Sequence, residues 1–138
     1  MIENINPKGY KKIGVYTPAK KVDCGNYYLV YVSGIQAHAS QENNSKVDSN
    51  DIEVQTHQVF SDIGEILNEA GATFDDVIKA VIYVTDMSEF EKVSKIRADY
   101  FKNSMPVSTL VEVSRMVRDG AKIEVEVTAL IKKVKDAN

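Results

Sequence analysis

Hydrophobic and polar positions change their spacing several times along the chain, and each change marks an expected element. Tyr27 to Ser33 (YYLVYVS) is aromatic and β-branched, as strands are. Cys24-Gly25-Asn26 supplies turn chemistry before it, which predicts an opening hairpin with a strand around Lys12 to Pro18. From His38 to Asn50 the sequence (HASQENNSKVDSN) is too polar for a core element and reads as a surface loop. At Asn50, with Glu53 three residues on, a capping-box pattern opens a run in which Val59, Ile63, Ile66, Leu67 and Ala70 recur at helical spacing until Gly71. Val77 to Thr85 (VIKAVIYVT) is nearly continuously apolar and predicts a central strand buried on both faces.

A second capping-box pattern, Ser88 with Glu91, precedes an amphipathic helix marked by Phe90, Val93, Ile96, Tyr100 and Phe101, which the stretch Asn103 to Pro106 ends. Thr109 to Val113 and Lys122 to Ile131 alternate with a period of two, and Arg118-Asp119-Gly120 can turn the chain between them. They are expected as a closing antiparallel pair. The order β-β-α-β-α-β-β gives an α+β fold of five to six strands with two helices, enough to cover one sheet face. If the other face is apolar, a second copy of the chain is its simplest cover, with pockets between subunits.

Composition narrows the classes. A chain of 138 residues with 43% hydrophobic content supplies a core without disulfide or structural metal, so residues 1–138 are expected as one domain. No run approaches the roughly 18 apolar residues of a bilayer span, and MIENINPKGYKK has no apolar stretch of the signal-peptide kind. Cys24 is the single cysteine, which excludes an intrachain disulfide and points to the cytoplasm. The net charge of -3, with scattered lysines, argues against nucleic acid as the main partner.

Candidate chemistry is sparse. His38 and His57 have no histidine or cysteine at ligand spacing, so no metal site is expected. The glycines form no phosphate cradle, and no serine or cysteine sits in a nucleophile elbow. Carboxylates remain. In Ile123-Glu124-Val125-Glu126-Val127 the apolar residues face one side, and Glu124, Glu126 and Thr128 face the other. Such a face is ordinarily solvated; burial of one carboxylate by oligomer formation would instead make it a general base or acid toward water. Arg115 and Arg118 flank the turn, either as exposed ion-pair partners contributing at most about 1 kcal/mol per pair, or as holders of a substrate carboxylate.

The run Pro106 to Arg115 (PVSTLVEVSR) followed by Lys122 to Ala129 (KIEVEVTA) resembles the RidA/YjgF family, whose signature there is roughly P-x-R-S-x-V-E-V-x-R and then x-[IV]-E-[IV]-E. Gly14-Val15-Tyr16, Val32-Ser33-Gly34, Gln55-Thr56-x-Gln58 and Val84-Thr85-Asp86-Met87-x-x-Phe90 are similar to further family motifs in the same order. The resemblance implies a chorismate-mutase-like fold, with two helices on one face of a mixed sheet, assembled as a homotrimeric barrel with ligand clefts between subunits. It also implies cofactor-independent hydrolysis of small enamines and imines to 2-oxo acids and ammonia. By position, Glu124 matches the water-positioning glutamate, Tyr16 a cleft tyrosine and Gly34 a backbone position of the cleft wall. Ser108 stands where the family's carboxylate-binding arginine should be, and Ile35 separates Gly34 from Gln36 where deaminases have glycine and glutamine adjacent. Arg115 matches an arginine of structural role.

Two main readings follow. One is a divergent RidA-like deaminase or hydrolase using Glu124, with Tyr16, Gly34 and Ser108 shaping the cleft. The other is a non-catalytic trimeric small-molecule binder or regulatory partner of the same fold. A third, nuclease or translation inhibition, follows a label carried by some relatives; the acidic balance and the lack of an aromatic-basic stripe oppose it.

Overall fold

The computed structural model describes residues 1–10, 12, 14–38 and 46–134. The helical spacing after Asn50 becomes α1 (Ile52–Glu69), which buries Ile52, Gln55, Thr56, Val59, Phe60, Ile63, Ile66 and Leu67. Its N-cap is Asp51, one residue beyond the expected Asn50: the Asp51 carboxylate accepts from the backbone N–H groups of Glu53 and Val54. Gly71, at φ 85°, takes the left-handed conformation that ends the helix.

The second helix, α2 (Phe90–Phe101), buries Val93, Ile96 and Phe101. Ser88 does not cap it. A single 3₁₀ turn (Met87–Glu89) comes first, capped by Asp86, whose carboxylate accepts from the Ser88 N–H and hydroxyl. Those bonds hold the Asp86 carboxyl below the usual carboxylate range. Phe60 of α1 joins the helices, stacking on Tyr100 at 4.7 Å between ring centroids and meeting Phe101 edge-on at 5.4 Å.

Among the described residues seven strands form one mixed sheet: β1 (Ile2–Ile5), β2 (Ala19–Asp23), β3 (Tyr27–Val32), β4 (Ile35–Gln36), β5 (Val77–Val84), β6 (Val107–Glu112) and β7 (Ile123–Lys132). They lie in the order β1-β2-β3-β7-β5-β6, with β4 also on β7. The opening hairpin is β2 with β3. Its first strand is therefore Ala19–Asp23 and not Lys12 to Pro18, where the described residues form no strand and residues 11 and 13 lie outside them. Of the loop expected at 38–50, residues 39–45 also lie outside the described ones.

The closing pair does not form as expected. The α2 crossover returns the chain so that β6 runs parallel to β5 on its outer side, while β7 runs antiparallel on its inner side. Alternation gives each strand its period, and the crossover decides its partner. As a result β5 separates β6 from β7, and β6 is an edge strand.

Both helices pack on one face. Ile123, Val125, Val127 and Ala129 of β7 are buried there with Val77, Ala80, Ile82 and Val84 of β5. On the opposite face β5 is not buried: Lys79 is exposed and Val81 and Tyr83 are half-buried. The pairing register puts Ile2, Val22, Leu29, Tyr31, Leu130, Val107 and Val111 on that same face, with Tyr31 50% and Val107 69% exposed. An apolar run long enough for a strand buried twice is thus covered only once within a single chain.

Candidate functional site

The site begins with an irregularity between β3 and β4. From the Tyr31–Thr128 pair to the Ile35–Val125 pair, the β3–β4 side uses one residue more than β7 does. Ser33 and Gly34 take up the excess as a bulge, and pairing resumes with Ile35 in the core and Gln36 beside Glu124. The Gln36 amide Nε2 donates to Glu124 Oε1 at 2.7 Å, and Gln36 Oε1 accepts from the Arg118 N–H at 3.1 Å. The other carboxylate oxygen fills the space that a side chain at residue 34 would need: a Cβ there would stand 2.6 Å from Glu124 Oε2. With a side chain at 34, the Glu124 carboxylate would have to move from this position.

Glu124 lines a cavity of about 280 Å3 with Tyr10, Tyr16, Ser33, Gly34, Gln36, Val117 and Arg118. Burial, then the neighbouring Tyr16, Asp62 and a hydrogen bond with Tyr16, push the Tyr10 phenol above its usual range, while the Arg118 charge opposes them. Tyr10 therefore stays a neutral hydroxyl at physiological pH and is not a base. Arg118 is 9% exposed and donates from Nη1 to the Ala37 carbonyl at 3.4 Å. Of the two arginines at the turn, Arg118 reaches the cavity and Arg115 is exposed.

The second carboxylate of the strand has a separate partner. Tyr83 donates its hydroxyl to Glu126 Oε1 at 2.9 Å, and this bond, with the Glu126 charge, raises the Tyr83 phenol. Glu124 and Glu126 share a face, yet only Glu124 enters the cavity.

Tyr16, Gly34 and Glu124 are thus brought together, and Ser108 is not. Ser108 pairs with Ala80, whose side chain is buried under the helices, whereas Glu124 pairs with Tyr83 on the open face. The two residues lie on opposite sides of the sheet. Ser108 instead accepts a hydrogen bond from Arg97 Nη1 of α2 at 3.4 Å. Gln36, Tyr10 and Arg97 were not singled out by sequence pattern; Ile35 between Gly34 and Gln36 was the one signal of the bulge.

The sheet, the two helices on one face and the carboxylate in a small cavity define an α+β protein of the YjgF type. The family model described as Endoribonuclease L-PSP matches residues 10–131, and the chain belongs to this RidA/YjgF family. It is 39% identical over 122 residues to a RutC family protein of Pyrococcus abyssi, covering 88% of this chain and 91% of that one. It is 31% identical over 118 residues to the mouse 2-iminobutanoate/2-iminopropanoate deaminase, covering 86% and 82% respectively. Among solved structures, a Rid family protein of Yersinia pestis superposes with a TM-score of 0.79 at 34% identity, over 94% of this chain and 98% of that one. No helix among the described residues is long and apolar enough to cross a membrane.

Proposed function

We propose that this chain, acting as a single domain, is a RidA-like hydrolase that converts small 2-imino or enamine acids to 2-oxo acids and ammonia. The carrying observation is Glu124: a carboxylate in a small cavity, one oxygen fixed by Gln36 and the other set against Gly34. An enamine first shifts a proton from nitrogen to its terminal carbon and becomes the imine. A carboxylate so held then orients a water molecule and takes its proton as the water oxygen adds to the C=N carbon. That proton passes to nitrogen. The tetrahedral carbinolamine then collapses, its hydroxyl proton and the C–N bonding pair leaving with ammonia while C=O forms. Water and imine are consumed, and no cofactor is needed. The name of the mouse relative supports this substrate class, and a cavity of about 280 Å3 suits a metabolite better than a polynucleotide.

The exposed and half-buried apolar residues of the open face, Val22, Leu29, Tyr31, Leu130 and Val107 among charged and polar ones, support a homotrimer in which a neighbouring copy covers that face and closes the cleft. In it, Tyr16, Gly34 and Glu124 come from one copy, and the Ser108 region comes from the next. Ammonia release from 2-iminobutyrate generated in situ tests the proposal, with turnover clearly above buffer expected. Release no faster than in buffer across several imines would leave the non-catalytic binder of the same fold, a reading that the neutral Ser108 favours.

A further inference from the structure

On α2, Arg97 lies half-buried beside the edge strand β6. Its guanidinium donates to two neutral hydroxyls, Ser94 Oγ at 3.2 Å and Ser108 Oγ at 3.4 Å, and lies 6.0 Å from the Phe90 ring centroid. Ion pairs among the described residues include His38–Asp62, Lys122–Glu89 and Lys133–Asp23, and Arg97 takes part in none of these three. A permanently charged group partly withdrawn from water, with neutral partners on one side, is suited to an anion on the other. Ser108 itself is exposed, so the guanidinium can be reached from solvent at that end. The two serines steer the planar fork without neutralising it, and the bidentate geometry matches a carboxylate.

We infer that Arg97 is the specificity-determining cation of this protein, gripping the carboxylate of a small 2-imino acid from the helix-facing side of β6. A short residue at 108 is then a requirement, since it leaves room for a guanidinium arriving from the helix. The inference rests on the proposed two-copy cleft, because Arg97 and Glu124 belong to opposite sheet faces within one chain. Substrate carboxylate on one copy's Arg97 and imine carbon over the other's Glu124 would fix both ends of a three- or four-carbon acid.

The test compares wild type, Arg97→Gln and Arg97→Lys in the intact assembly, with circular dichroism to confirm folding. Each is titrated with 2-oxobutyrate and with its uncharged amide, and assayed for imine turnover. Arg97→Gln is expected to weaken 2-oxobutyrate binding and raise KM about 10- to 100-fold, to leave amide binding unchanged, and to spare kcat more than KM. Lysine should recover part of the loss. Carboxylate binding that depends on Arg97 without any imine turnover would sustain the inference while removing the hydrolase reading. Unchanged acid-over-amide preference in Arg97→Gln would overturn the inference even if turnover stands, as would transfer of the whole effect to Arg118→Gln.

Discussion

Glu124→Gln is expected to lower kcat/KM for imine hydrolysis by about 10² to 10⁴, the range over which positioned general bases act. The substitution is nearly isosteric, and the new carbonyl oxygen can still accept from the Gln36 amide at the 2.7 Å contact of the wild type. What it lacks is basicity: an amide cannot take the proton of the attacking water. Steady-state ammonia release, with thermal melts within a few degrees of wild type, would isolate that loss. Turnover within a few-fold of wild type would mean that Glu124 is not the base.

Gly34→Ala should reach a similar outcome by geometry alone. The added methyl would stand 2.6 Å from Glu124 Oε2 and 2.8 Å from its Cδ, closer than van der Waals contact permits. The carboxylate is the end of a side chain and can swing away, so the fold should lose little. Its position for water is what moves, and a displacement of about 1 Å can cost about 100-fold in rate. Kinetics together with denaturant unfolding separate the two effects. A variant with wild-type rate would show that the close packing of Gly34 on Glu124 has no part in turnover.

Much of the fold could be read from local signals. The periodicity of α1 and α2, the β-branched run of β3 and the alternation of β7 are properties of short segments, and each formed where expected. β1, with the mixed sequence IENI, and the two-residue β4 have too little pattern to announce themselves. The placement of β6 beside β5 is a long-range choice made by the α2 crossover, which no alternation within Thr109 to Val113 encodes. At the site, motif order brought out Tyr16, Gly34 and Glu124. The bulge at Ser33 and Gly34 sets the phase of Gln36, and that phase depends on the pairing of distant strands. The motif comparison brought out Ser108 as well, but its side of the sheet, and Arg97 behind it, follow from register rather than from sequence pattern.

The opposed placement of Glu124 and Ser108 has a genetic consequence. If one copy gives the base and its neighbour the cation, two separately crippled chains can rescue each other. Chains carrying Glu124→Gln and chains carrying Arg97→Gln, refolded together, should form some junctions in which both intact halves meet. At low substrate the mixture should then exceed the sum of its parts, a complementation between alleles. Strict additivity would instead assign both halves to the same polypeptide.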